Sequence, residues 1–254
     1  MEKGIIGIVG GMGPLAGISL SESIIRHTVA RKDQDHLPQI LFSIPSEITD
    51  RTGYLTGKIK TNPGYRIARI LSDMESSGVR IAAIACNSAH APPIFDLIVS
   101  ELEQRKSKIR LLHIIEEVGS FISGHFYDKK KVGILGTTGT YLTGQYDLLN
   151  RADLETINIS ETQQHQLHQA IYHPAYGIKS STGVIPRKAV EIINNAAGSL
   201  IKAGAEIIVL GCTELSLIFK EDKFHNLPVI DSSVVLARAL IRMHTPEKLR
   251  PWQT

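Results

Sequence analysis

The chain holds only two cysteines, Cys86 and Cys212, and both stand in the same kind of place. Cys86 closes the apolar run of IAAIACNSAHAPP at 81–93, and Cys212 closes that of AEIIVLGCTELS at 205–216. Each is expected to end a strand and open a turn into a helix, where first-turn amides and the helix dipole lower a thiol pKa from about 8.5. A buried cysteine can also be a small hydrophobe, but these two sit at the polar ends of their strands. A Cys/His hydrolase needs a base within reach. His90 follows Cys86 by four residues, yet the matching position after Cys212 is Ser216, so His90 reads as a helix or hinge residue with a local hydrogen bond. Cys86, His90 and Cys212 fall short of a structural zinc pattern, and no metal is expected. Two opposed thiols suit another chemistry: one removes an α-proton, the other protonates the opposite face, and the carbon inverts. Charge then moves into the substrate carboxylate, which fixed donors can stabilise. Asn87, Ser88, Thr137, Thr138 and Thr213 lie at strand-to-helix turns where free amides bind anions.

The elements that must position these groups alternate. Short β-branched runs predict strands near 4–10, 39–45, 80–86, 109–115, 131–137, 153–159, 205–211 and 227–231. Helical periodicity is clearest over 16–30, 65–77, 93–106, 187–203 and 234–244. This is the pattern of an α/β protein with mostly parallel sheets flanked by helices. A single offset of 126 residues, from Ile6 to Val132, lays IGIVGGMG over VGILGTTG. It carries Gly7, Gly10 and Gly13 to Gly133, Gly136 and Gly139, then Gly78 to Gly204 and Cys86 to Cys212. Two similar lobes related by a pseudo-twofold axis are expected: residues 1–107 plus 228–254 carrying Cys86, and 108–227 carrying Cys212. Ligands of parallel sheets sit at the carboxyl ends of strands, so a cleft with the thiols on opposite walls is expected, with Met12 forming part of one wall.

Composition excludes other classes. With 43% hydrophobic and 21% charged residues and a formal net charge of +3, the chain has no nucleic-acid footprint. No apolar run approaches the roughly 18 residues of a membrane span, and the amino terminus shows no signal segment, so a cytoplasmic protein is expected. Lys129 to Lys131 read as a solvated loop. Gly11, Gly13 and Ala16 satisfy a relaxed dinucleotide fingerprint, but QILFSIPS lacks the acidic cap that a ribose needs. No Lys-Ser/Thr follows the glycines, which excludes a P-loop. The loop is read as backbone approaching a small ligand, with Pro14 in the first helical turn.

Taken together, GIVGGMGPLAG, TDRTGYLTGK (49–58), CNSAH (86–90), GILGTTGT (133–140) and GCTE (211–214) resemble the cofactor-independent aspartate/glutamate racemase family, nearest its aspartate branch. The resemblance covers nearly the whole chain. It implies a two-lobed fold, Cys86 and Cys212 as the catalytic pair, no pyridoxal phosphate or other cofactor, an amino-acid substrate and a homodimer. It also implies that Arg51 of TDRTG and Lys179 of YGIKSS grip the substrate side-chain carboxylate, a task for which an Arg fork is well shaped. The segment IYHPAYGIKSSTG is longer and more polar than the family pattern. Relatives with one cysteine, such as arylmalonate decarboxylases, do one-sided chemistry, and others racemise hydantoins. Both cysteines here favour reversible racemisation of aspartate, with glutamate or broader racemisation as the alternative. A ligand-binding protein on the same scaffold is the non-enzymatic one.

Overall fold

The computed structural model describes residues 4–181, 184–219 and 221–252. The last two residues of the polar segment, Thr182 and Gly183, and the ends of the expected lobes at 1–3 and 253–254 lie outside them. The chain divides into two compact units, 1–117 with 233–254 and 118–232.

In the first unit, β1 (Ile5–Gly10) lies between β2 (Gln39–Ser43) and β3 (Val79–Ile84), and β4 (Arg110–Leu111) flanks β3. All of these pairings are parallel, with Gly7 opposite Ile40 and Ala82. Strands covered on both faces read as continuous apolar runs, and IIGIVG is one. The helices that cover them are α1 (Pro14–His27), α2 (Arg51–Leu55), α3 (Gly64–Ser76) and α4 (Pro92–Gln104). The last two bury Ile67, Ile70, Leu71, Ile94 and Ile98 against Val9 and Ile84. Next in the chain comes α5 (Ile114–His125).

The second unit repeats the order. Here β5 (Lys131–Gly136) lies between β6 (Glu155–Ile157) and β7 (Ile207–Gly211), with α6 (Thr138–Leu142), α7 (Glu161–Tyr172) and α8 (Arg187–Lys202) interspersed in sequence. Two more strands, β8 (Lys223–Phe224) and β9 (Leu227–Asp231), complete a sheet ordered β6-β5-β7-β9-β8, in which only the β8–β9 pairing is antiparallel. The chain ends with α9 (Ser232–His244) and a short tail. The repeat is conformational as well as sequential. Gly78 and Gly204 each follow a helix and precede the strand that leads to a cysteine, at φ 92° and φ 93°. That left-handed cap is where glycine is favoured.

Several expectations shift. The strand expected at 109–115 is confined to β4, because the β-branched pair Ile114–Ile115 opens α5 and is buried there. The one expected at 153–159 is confined to β6. Residues 108–117 group with the first unit, since β4 pairs with β3. LPVID groups with the second, because β9 pairs in register with β7. The divisions at 107/108 and 227/228 therefore move to 117/118 and 232/233. Among the described residues, no helix is long and apolar enough to cross a membrane.

Candidate active site

In the first unit the site begins where β1 and β3 run out. The backbone of Gly11 has φ +86°, and a Cβ there would stand 3.0 Å from the nitrogens of Ile44 and Pro45. The close approach that Gly11 itself allows is therefore to the chain's own backbone at Ile44 and Pro45. The Met12–Gly13 peptide is cis, and Met12 is buried in the core cluster with Val9 and Cys86. Asp50 caps α2, accepting Gly53 N–H at 2.5 Å. Arg51 follows it, buried, and donates to the carbonyls of Met12 at 3.1 Å and Thr49 at 3.2 Å. Its guanidinium thus ties α2 to the glycine loop.

Past β3, Ala85 N–H extends the ladder to Val9 at 3.0 Å, and Cys86 starts a 3-10 turn over Asn87–His90. The helix expected over 93–106 starts at Pro92, and the 3-10 turn separates it from the cysteine. Ala91 precedes Pro92 and is extended (φ −63°, ψ 136°), as a residue before proline prefers. Cys86 is 6% exposed, and Asn87 and Ser88 are buried beside it. His90 is fully buried, and its Nδ1–H donates to the Cys86 carbonyl at 2.9 Å. Burial first, then His113, lowers its pKa from 6.5 to about 3, while carbonyls of Cys86, Leu112 and Asn87 pull weakly upward. The ring stays neutral near pH 7 and supports the cysteine's backbone.

In the second unit Thr137 caps α6, its hydroxyl accepting Thr140 N–H at 3.3 Å, and Thr138 N–H donates to His168 Nδ1 at 3.4 Å. Beside them lies a cavity of about 30 Å³ lined by Gly136, Thr137, Thr140, Tyr146 and Gln164. That is about the room one water needs. Past β7, Cys212 starts a 3-10 turn over Thr213–Leu217, and the next element among the described residues is β8. The sulfur donates to Glu214 Oε2 at 3.1 Å, and the Thr213 hydroxyl donates to the same oxygen at 3.3 Å. Glu214 Oε1 receives Lys179 Nζ in an ion pair. Lys179 stands on the 3-10 turn Ile178–Ser180 with its ammonium 5.4 Å from the Tyr172 ring centroid. Gly177 makes that turn possible, since a Cβ there would meet His173 N at 2.5 Å.

These contacts reverse one expectation. Burial and then the Glu214 charge push the Cys212 thiol well above its ordinary value, against the pull of Lys179. A five-residue 3-10 turn has little dipole to oppose them. Burial also pushes the Tyr146 phenol up, with the Cys212 charge next, partly offset by a hydrogen bond with Ser232. Among the described residues, no cluster of three His, Cys, Asp or Glu could hold a metal ion.

Residues 9–240 match the family model described as Asp/Glu/Hydantoin racemase. The chain belongs to that family. An aspartate racemase of Picrophilus torridus is 29% identical, with 94% of each chain covered and a TM-score of 0.78. An aspartate racemase homologue of Pyrococcus horikoshii OT3 shares the fold at 22% identity, covering 95% of this chain and 99% of that one with a TM-score of 0.69. The fold is also that of the Francisella tularensis glutamate racemase solved with D-glutamate: 17% identity, 100% and 86% coverage, TM-score 0.63. An uncharacterized protein of Pectobacterium carotovorum subsp. carotovorum is 33% identical over 93 residues, spanning 36% of this chain and 57% of that protein's length. For a member of the racemase family, Glu214 and Tyr146 are the residues that sequence reasoning overlooked. The repeat held a signal for Glu214, since the offset of 126 residues pairs it with Ser88.

Proposed function

We propose that this racemase-family protein interconverts L- and D-aspartate by two-base proton transfer, with Cys86 and Cys212 as the acid–base pair and no pyridoxal phosphate. One observation carries the reading: each unit places a nearly buried cysteine just past the carboxyl end of the equivalent strand, β3 or β7, at repeat-related positions. A reversible inversion needs two groups of one type that exchange roles. Donors on the turns, Asn87, Ser88, Thr137, Thr138 and Thr213, serve the α-carboxylate, and Met12 shapes the apolar side. Arg51 and Lys179 meet the side-chain carboxylate. Likeness to the Picrophilus aspartate racemase supports aspartate. The family resemblance extends the proposal to a homodimer, which sedimentation analysis tests.

A second reading, racemisation of a wider set of amino acids, is favoured by one contact. Lys179 is already ion-paired with Glu214, and a substrate without a distal carboxylate leaves that pair intact. The test is incubation of the reduced protein with L-aspartate, and separately L-glutamate and L-alanine, in deuterated buffer without pyridoxal phosphate. NMR follows the α-proton and chromatography the chirality. Loss of the signal with D-aspartate formed supports the first reading, and turnover of alanine the second. Loss of the signal without D-product means one-sided exchange. Ligand-induced stabilisation with no exchange for any of the three means a binding protein.

A further inference from the structure

The two halves differ at one chemically decisive position. The offset that carries Cys86 to Cys212 carries Ser88 to Glu214, so a hydroxyl in the first turn becomes a carboxylate in the second. Glu214 is 4% exposed. Its oxygens are used differently: Oε1 takes the Lys179 ammonium, while Oε2 takes the Cys212 thiol at 3.1 Å and the Thr213 hydroxyl at 3.3 Å. An ionised carboxylate only accepts hydrogen bonds. A sulfur at that distance therefore either keeps its proton or stands as one anion against another. The ion pair with Lys179 keeps Glu214 ionised and fixes the plane of its carboxylate.

We propose that Glu214 is a positioning residue that keeps Cys212 protonated in the resting protein, making Cys212 the starting acid and Cys86 the starting base. This deepens the two-thiol reading and rests on it. In the first half-turnover the Cys86 thiolate takes the α-proton, and the electrons of that C–H bond pass to the α-carbon and its carboxylate. The Cys212 S–H bond then breaks toward the carbon's other face, leaving a thiolate beside Glu214. Exchange with solvent protons returns Cys212 to its thiol and Cys86 to its thiolate. Among the described residues, the charged or titratable groups that face the Cys212 sulfur are Glu214 on its own turn, Lys179 from the turn 178–180, and Tyr146 from the 3-10 segment Gln145–Ala152. Burial holds Tyr146 neutral and itself favours the Cys212 thiol, so among the charged groups the balance lies between Glu214 and Lys179.

The test is alkylation of the full reduced chain with iodoacetamide between about pH 6 and about pH 10, read separately for each cysteine by peptide mass spectrometry. Because the sulfur is nearly buried, the pH midpoint is read and not the absolute rate. In Glu214→Gln, which keeps an acceptor and removes the charge, the Cys212 midpoint is expected to fall by about one pH unit, roughly tenfold faster modification near neutrality. In Lys179→Met it rises, and Glu214→Asp restores most of the native profile. The Cys86 midpoint stays in place throughout. An unmoved Cys212 midpoint in Glu214→Gln overturns the proposal, and so does a joint shift of both cysteines. Should Glu214→Gln fail to fold, the sign of the shift in Lys179→Met decides. Alkylation needs no turnover, so a wild-type protein that racemises nothing defeats the two-thiol reading while the midpoints still decide whether Glu214 holds the proton.

Discussion

Glu214 makes the proposed acid and base unequal, and the inequality has a kinetic form. Enantiomers in water have equal free energies, so the value of kcat/KM must be the same in both directions. An unequal pair of thiols therefore shows only in kcat and KM taken separately. The enantiomer that meets the resting protonation state is expected to have both the lower KM and the lower kcat, and Glu214→Gln should narrow both differences in steady-state assays. Removing either sulfur goes further: Cys86→Ala and Cys212→Ala should each lose about a thousandfold or more of racemisation, measured as D-product from L-aspartate. Cys→Ser on one side should leave slow one-sided α-proton exchange, and an alanine variant as active as wild type would contradict the assigned role. The cysteines were legible because their scarcity and the offset of 126 single them out. Glu214 was not, because an acidic residue near a cysteine usually faces water. Its partner Lys179 stands 35 residues away in the chain and meets it only once α7 and the turn 178–180 have folded.

At the scale of elements, the turn after Cys86 depends on a histidine that must stay neutral. His90 has a pKa of about 3 in the fold against 6.5 as a free side chain, so the unfolded chain binds the extra proton first. The stability this contributes is complete above about pH 6.5 and falls as pH drops toward 3, by roughly 1.4 kcal/mol per pH unit. His90→Gln should be less stable than wild type at about pH 7, by the lost hydrogen bond and packing, with the gap closing toward about pH 4.5. Urea unfolding at both pH values checks this, and a gap independent of pH would mean that the ring is not held neutral. The glycine loop gives a second contrast. Gly57, at φ +74° with open space around it, should lose about 1 kcal/mol on mutation to Ala. Gly11→Ala adds a clash with the backbone at Ile44 and should lose roughly 2–4 kcal/mol by the same measurement. Most strands and the helices α1, α3, α4, α8 and α9 were legible from periodicity, while α5 and α7 were not among the helices read. What periodicity misjudged was Ile114–Ile115, whose β-branching suggests a strand although burial in α5 overrides that preference. It placed the helix after Cys86 correctly at 93–106 but could not show the 3-10 turn at 87–90 between them.

At the scale of the whole molecule, an order of β2-β1-β3 in one sheet matches β6-β5-β7 in the other; the likeness of the two halves was legible from the glycines and cysteines of the repeat, the strand order was not. Which sheet LPVID would join was not, since only its register with β7 assigns it to the second unit. The residues after it return to the first unit through contacts that no local pattern announces. His244 Nε2 hydrogen-bonds the Gly4 carbonyl at 3.0 Å, and Val29 N–H donates to the Lys248 carbonyl at 2.7 Å. Arg250 donates from its amide to His27 at 2.9 Å and from Nε to Thr28 at 3.1 Å, and its own carbonyl receives Arg238 at 3.0 Å. The tail therefore closes the carboxyl end of α1, where carbonyls have no partner within the helix. Truncation after Thr245 removes the contacts of Lys248 and Arg250 and leaves α9, with His244, in place. Hydrogen exchange of the truncated chain is expected to show protection at Val29 and in the last turn of α1 falling by about tenfold or more. The amides of β7 should exchange as in the full chain, because their ladder to β5 and β9 lies wholly in the second unit. An equal loss of protection in β7 would show instead that the two units unfold as one, and that the tail stabilises both.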